Sequence, residues 1–509
     1  MEKVISLFFT VFIIIFSSCN KPKKQYVDVP QIIIVAGKID NYETNRQLTL
    51  HVNRPGFSQE QILAKTDSTG NFIATFESYI PVDVWVMYNT NFLALLHPGD
   101  SLFIQFDGKY NDRPELLESI SFGGSAAIKN QNAAKIQQMY YSNEIYSDWD
   151  KRNKAIKEYE ITQYIQHLDT VQFKLNEIYE RFIVENNPDK ISRKWALLFI
   201  ENYFYFRLGM YAYTKQYYTD GAENVYIPKG SYDRLCNHLP IDTSMFINSD
   251  ALCDFSGVFR IYVIDNLRDK ETDSVWHVIP GFDVIEGTAA ISDSIRIFST
   301  IEFVRDPLLL QIMLTKIFDQ KFESQDISVY ERFQDVANTY IKEPFLREPL
   351  QQKYLQTKQR IENPQIYTEA ILKEAANLSV NQIMDDILQQ NKGKVIYVDF
   401  WGTWCGPCLS EMPSSKIVEH ENKNEDVVFV YICLESEEKQ WKLLLDKFQL
   451  GGQHYLLSQK QSSEIRKLLS ITGVPFYLLA DKNGVIREKG NHLRPSSLDV
   501  REKIKEMLK

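Results

Sequence analysis

The sequence predicts a multidomain chain: an N-terminal β-sandwich-like domain, an α-helical middle domain and a C-terminal α/β domain. Three observations carry that prediction. Short β-branched and aromatic runs, separated by Gly and Asp/Asn turns, fill residues 31–124. Apolar residues recurring at three- and four-residue steps mark helices between 125 and 376. Over 377–509 strand-like and helical runs alternate, and one junction between them carries Cys405 and Cys408. At 509 residues, two to four domains are expected rather than one core. The 44% apolar and 24% charged composition is that of a globular protein. A net charge of −10 leaves no basic surplus to neutralise phosphates, so nucleic acid is not an expected partner.

Residues 1–18 read as a targeting segment. Lys3 supplies a basic start, Val4 to Phe16 is an apolar run of 13 residues, Ser17 and Ser18 are small, and Cys19 follows. Such a run is too short to cross a bilayer as a helix. An ordinary secretion signal with an incidental cysteine is one reading. Small residues directly before a Cys, with Asn20-Lys21-Pro22-Lys23-Lys24 behind it, resemble a bacterial lipoprotein signal. That resemblance implies cleavage before Cys19 and lipidation on it. Residues 19–30 then form a polar tether. No later stretch is long and apolar enough to span a membrane, so the mature chain is expected to be exported, tethered and otherwise soluble.

In the β-domain, 31–124, the runs Ile32 to Val35, Gln47 to Val52, Phe72 to Phe76, Val82 to Tyr88 and Ser101 to Phe106 read as strands. The turns Ser68-Thr69-Gly70-Asn71 and His97-Pro98-Gly99-Asp100 separate them, and His97 reads as a solvated turn residue. In the helical domain, 125–376, Ile165, Leu168, Val171, Leu175, Ile178 and Phe182 form one buried face, which Asn187-Pro188 terminates. Ser192 to Phe206 resumes the helix, and further helices are expected at 299–318, 328–343 and 345–375. Tyrosines crowd this region, among them Tyr140, Tyr141, Tyr146, Tyr164, Tyr203, Tyr205 and Tyr211. They suit either an aromatic groove for a peptide or glycan, or a helical core with hydroxyls reaching water. Cys236 and Cys253 are either buried free thiols or a bridge worth about 3 kcal/mol by loop closure.

The C-terminal domain, 377–509, opens with a helix at Asn381 to Gln390 and a buried strand at Val395 to Trp401. Cys405 then starts a helix. Its position exposes the thiol to the unpaired N–H groups and partial positive charge of the helix N-terminus, which favour thiolate, the species that attacks disulfides. Pro407 falls in the first turn, where its missing N–H costs little. A C-x-x-C alone is equally half a zinc site, but no second C-x-x-C or paired His accompanies it. No metal or cofactor is implied. Val427 to Ile432 is a second buried strand, and Leu434 to Val474 has room for helix, strand and helix. Phe476 to Leu479, the Asp481-Lys482-Asn483-Gly484 turn and Val485-Ile486 form a hairpin, and Ser497 to Leu508 closes the domain.

Asp399-Phe400-Trp401, Trp404-Cys405-Gly406-Pro407-Cys408 and the later Gly473-Val474-Pro475 resemble the thioredoxin superfamily. Leu409, Glu411, Met412 and Pro413 look like its membrane-tethered TlpA/ResA-like branch, as does the extra unit before Pro475. Gly37-Lys38-Ile39, Gly70-Asn71-Phe72 and Pro98-Gly99-Asp100 resemble the β-domain often joined to TlpA-like lipoproteins. The resemblance implies that Cys405, as the exposed thiol, attacks and that Cys408 resolves the mixed disulfide. It implies a cis-proline at Pro475, with Val474 pairing to an extended client, and Trp404 shielding the thiolate. Asp399 matches the buried carboxylate that relays protons to the resolving thiol, the alternative being a solvated strand end. The lysine that thioredoxins place near that carboxylate has no counterpart in Val427–Cys433. Glu411 either tunes the thiols or caps a surface turn, and Cys433 reads as inert packing.

The expected function is therefore an extracytoplasmic thiol–disulfide oxidoreductase of the cell envelope, lipid-anchored and facing the periplasm. Gly-Pro between the cysteines resembles reducing thioredoxins, which implies client protein disulfides as substrates and a membrane thiol electron-transfer protein as donor. The competing class is a lipid-anchored client- or ligand-binding protein whose redox domain is secondary. Neither G-x-S-x-G nor H-E-x-x-H occurs, so hydrolase readings lack support.

Overall fold

Alternation sets the first sheet: along β1 (Gln31–Asp40), Ile33, Val35, Gly37 and Ile39 are buried while Ile32 and Ile34 are exposed. The computed structural model describes residues 26–43, 46–218, 225, 228, 230–233, 243–267, 277–279, 282–284 and 289–509. The signal segment, Cys19 and Cys236 lie outside the described residues. The strands that follow are β2 (Thr49–Asn53), β3 (Glu60–Leu63), β4 (Lys65–Thr66), β5 (Asn71–Ser78), β6 (Val82–Met87), β7 (Asn91–Leu96), β8 (Ser101–Asp107) and β9 (Ser121–Gly123). They form two sheets, ordered β4-β5-β1-β8-β9 and β3-β2-β6-β7. Gly37 is required where β1 meets β8, because a Cβ there would lie 1.8 Å from the Ile104 carbonyl oxygen. Gly70 turns the chain at φ 86°, a region that side chains with a Cβ rarely adopt.

Helices α1 (Arg113–Ser119) and α2 (Ala127–Tyr141) finish this layer. Two amides of α2 take the place of a missing strand beside β7. Asn130 accepts from the Leu95 N–H and donates to its carbonyl, both at 2.8 Å, and Gln137 does the same for Leu93. An otherwise open sheet edge is closed by side chains.

The next helices are α3 (Glu144–Ser147), α4 (Trp149–Glu158), α5 (Ile161–Asn186), α6 (Lys190–Gly209), α7 (Tyr211–Tyr218) and α8 (Ser249–Leu267). A short hairpin, β10 (His277–Ile279) and β11 (Phe282–Val284), precedes α9 (Ala289–Phe303). Then come α10 (Pro307–Glu323), α11 (Ser328–Arg332), α12 (Gln334–Tyr340) and α13 (Pro344–Glu362). The apolar stripe of α5 is buried from Leu168 to Phe182, and Asn187 ends the helix at φ 41°. Three helical stretches differ from expectation. The one at 299–318 is broken because Asp306 caps a new helix that starts at Pro307. The one at 328–343 divides at Phe333, and the one at 345–375 stops at Glu362, before Asn363-Pro364.

Strands and helices of this part share one continuous apolar core, running from Ile33 to Leu350. Polar groups cross the junction in satisfied pairs. Asp83 of β6 accepts from the Trp195 indole of α6 at 2.7 Å, and Asp250 of α8 accepts from the Trp85 indole at 2.9 Å. Burial pushes the Asp83 carboxyl up to about 7. Tyr140, Tyr141, Tyr164, Tyr205 and Tyr211 are buried within this core, and Tyr140 meets Tyr141 at 5.0 Å. Cys253 is a free thiol, raised by burial. His97 is not a freely solvated turn residue: burial and Lys129 lower its pKa to about 4.

The C-terminal sheet is ordered β12-β15-β14-β13-β16-β17. Its edge, β12 (Ala370–Lys373), lies ahead of the expected start at 377 and pairs in parallel with β15 (Gly452–Leu456). The remaining elements are α14 (Val380–Gln390), β13 (Val395–Trp401), α15 (Gly406–Glu421), β14 (Val427–Cys433), α16 (Glu438–Phe448), α17 (Gln459–Leu469), β16 (Phe476–Ala480), β17 (Ile486–Gly490) and α18 (Leu498–Leu508). Each face of the sheet carries its own apolar cluster. Polar contacts join this unit to the rest: Lys447 to Glu323 at 2.5 Å, Lys505 to Glu43 at 3.1 Å, and the Gln47 N–H to Glu421 at 3.1 Å. Among the described residues, no helix is long and apolar enough to cross a membrane.

Candidate functional site

Every residue of β13 is buried, and the strand delivers the chain to the rim of the sheet at Trp401. At Gly402 a Cβ would lie 2.8 Å from the Trp404 ring, so the glycine lets that ring fold close to the turn. Cys405 is the N-cap of α15, and its Sγ accepts the Cys408 N–H at 3.2 Å. Pro407 occupies the first turn, as a residue without an N–H can. Cys405 and Cys408 are joined by a disulfide. The Val474–Pro475 peptide bond is cis, and the Val474 carbonyl lies 3.6 Å from Cys405 Sγ.

One expectation is corrected here. Cys405 is not the exposed member of the pair: it is 2% exposed and Cys408 1%. The loop before Pro475 packs its Val474 carbonyl against the first sulfur, which removes the difference in the disulfide form. Trp404 is 51% exposed, and its indole N–H donates to the Glu435 carbonyl at 3.0 Å, which holds the ring at the mouth.

Asp399 lies on β13, ahead of the disulfide-bearing turn in the chain, and is buried rather than a solvated strand end. Its neighbours across the sheet are Tyr431 and Tyr477. Tyr431 stands on the strand where the sequence offers no lysine, so no cation offsets the carboxylate there. Asp399 Oδ1 has no hydrogen-bond partner among the described residues. Burial, and then the nearby Glu411, hold its carboxyl well above the ordinary range.

The sequence left Glu411 undecided. It is buried, and it accepts from the Ser496 N–H at 3.0 Å and the Ser496 hydroxyl at 2.9 Å, with Arg494 at 3.4 Å. Its spacing from Cys408, three residues along one helix, was the available signal that it shares the buried face. Ser496 and Arg494 come from a segment more than 80 residues away, and nothing local points to them. Cys433 ends β14 as a buried free thiol, pushed up to about 12 by burial, in keeping with packing.

The arrangement is a closed disulfide at a helix N-terminus, a backbone carbonyl beside its first sulfur and a buried carboxyl of raised pKa on the strand that leads into it. Residues 393–486 match the family described as thioredoxin-like. The C-terminal domain is thioredoxin-like. The chain is 27% identical over 120 residues to the thiol-disulfide oxidoreductase ResA of Oceanobacillus iheyensis, covering 22% of this chain and 61% of that one. It is 31% identical over 103 residues to the thioredoxin-like protein YneN of Bacillus subtilis, covering 20% and 58%. The chain thus spans about three fifths of the length of these relatives. A solved structure of a putative thiol-disulfide oxidoreductase from Bacteroides vulgatus is 32% identical, with a TM-score of 0.21, covering 24% of this chain and 83% of that one. Both relatives match about a fifth of this chain.

Proposed function

We propose that the chain is an extracytoplasmic thiol–disulfide oxidoreductase that reduces disulfides of client proteins. The observation that carries this reading is the Cys405–Cys408 disulfide, set at the N-terminus of α15 against the cis-Pro475 loop. In the reduced state, the Cys408 N–H and the helix terminus favour the Cys405 thiolate. That thiolate attacks one sulfur of a client disulfide; a mixed disulfide forms and the other client sulfur leaves as thiolate. Cys408 then loses its proton and attacks Cys405 Sγ. The intramolecular disulfide closes and the second client thiol departs.

Asp399, buried and of raised pKa, takes the proton of Cys408 when ionised, and burial and Glu411 raise its affinity for that proton. Val474, beside Pro475, offers its backbone to an extended client segment, and Trp404 forms the rim of that groove. A thiol electron-transfer protein of the membrane returns the pair to the dithiol. Lipidation at Cys19 tethers the chain to the envelope on its periplasmic face.

Cys408→Ser tests the reading. With no resolving thiol, mixed disulfides with clients accumulate through Cys405, and mass spectrometry of the trapped species identifies them. If no adduct forms while Cys405→Ser retains full disulfide reduction, the proposed chemistry is wrong.

A further inference from the structure

The five-stranded sheet presents an apolar stripe that no described element covers. Its inner face packs on the four-stranded sheet within the shared core. On its outer face Ile32, Ile34, Ile73 and Phe103 are 58%, 40%, 46% and 48% exposed. They are contiguous. Ala36 of β1 stands opposite Ile73 of β5 on one side and Phe103 of β8 on the other, so the row crosses three strands. Ile34 and Ile32 extend it along β1 towards the start of that strand, where Val29 is 71% exposed. Scattered exposed apolar residues need no explanation, but a joined patch marks a contact surface.

The position of the patch indicates its occupant. β1 begins immediately after the tether, and the 12 residues from Cys19 to Gln31 reach at most about 40 Å. Given the lipid anchor at Cys19 proposed above, on which this inference rests, the start of β1 is confined close to the bilayer. The stripe is the apolar surface at that end. Lys21, Lys23 and Lys24 in the tether and Lys65, opposite Ile73, suit an anionic headgroup layer, with Glu77 beside Ile32 as the opposing charge.

We propose that the outer face of this sheet is a second, apolar contact with the lipid surface. Lipid and sheet together then fix orientation, since attachment through Cys19 alone is a single point at the end of a tether. Laying the sheet on the bilayer places β1 along the membrane plane. The thioredoxin-like domain is docked at the far end of that strand, through Lys505 to Glu43 and the Gln47 N–H to Glu421. It is therefore held at a set height, with the dithiol at the opposite end of α15 from Glu421.

The test uses the full lipidated chain in vesicles of phosphatidylcholine and phosphatidylglycerol that carry a spin-labelled lipid. A bimane fluorophore is placed at Phe103→Cys or, as a remote site, at Leu468→Cys of α17, with the unsubstituted chain as background. The expected result is loss of fluorescence at 103 and none at 468, with recovery at 103 when Ile34→Asp is added while the protein stays vesicle-bound. Vesicle-bound protein that is unquenched at 103 overturns this inference and leaves the anchor intact. Protein that does not bind vesicles, or binds equally with Cys19→Ala, overturns the anchor reading. Disulfide-linked dimers through position 103 in detergent solution assign the face to a second copy and overturn the membrane contact.

Discussion

Glu411 of α15 is the group that, after burial itself, raises the pKa of the Asp399 carboxyl on β13. The two acids differ in their support. Glu411 is held by the Ser496 N–H and hydroxyl, whereas Asp399 Oδ1 has no hydrogen-bond partner among the described residues. Hydrogen bonding favours a carboxylate and desolvation disfavours it, so burial and the neighbouring Glu411 push the Asp399 carboxyl up.

That division has a stability consequence. An acid whose folded pKa exceeds its unfolded value binds more protons when folded, so stability falls as pH rises above the unfolded value, by about 1.4 kcal/mol per unit until the folded pKa is reached. Asp399→Asn removes this penalty. Thermal unfolding should show the variant more stable than the parent at pH about 7, and little changed near pH 4, where the unfolded carboxyl is itself half protonated. The same variant should slow the resolving step, measured by single-turnover reduction of a model disulfide, and by less as the pH falls, because a protonated Asp399 takes no proton from Cys408.

The reduced pair should label unequally. The Cys408 N–H points at Cys405 Sγ, and the first sulfur alone occupies the N-cap. Brief alkylation at pH about 7, where an ordinary thiol is only a few per cent ionised, should mark Cys405 in preference to Cys408. Peptide mapping reads the outcome. Faster labelling of Cys408 would reverse the roles assigned to the two thiols.

The thioredoxin-like domain should be more stable as a separate fragment when it keeps its edge strand. A fragment starting near residue 364 retains β12, whereas one starting at 377 loses the pairing of Ala370–Lys373 with Gly452–Tyr455. The longer fragment should unfold cooperatively, and the shorter should lose about 1–3 kcal/mol in urea titrations as Tyr455 and its neighbours meet water. Equal midpoints would mean that β12 adds nothing to the fold.

Much of this molecule is legible along the chain, because the physics that sets it is local. Strand alternation in β1, the apolar stripe of α5, the cap and proline at the head of α15 and the Cys405–Cys408 spacing each depend on residues within a few turns of one another. The sequence alone therefore determines the redox helix, its preceding buried strand and the helix-strand-helix unit before Pro475. Tertiary structure decided the rest, because it depends on residues distant in sequence meeting in space. The burial of Cys405 depends on the Val474 carbonyl, the support of Glu411 on Ser496 and Arg494, and the raised pKa of Asp399 on its burial and on Glu411. β12 was hidden for the same reason: a four-residue edge strand has too little pattern to announce itself, and only its pairing with β15 makes it a strand.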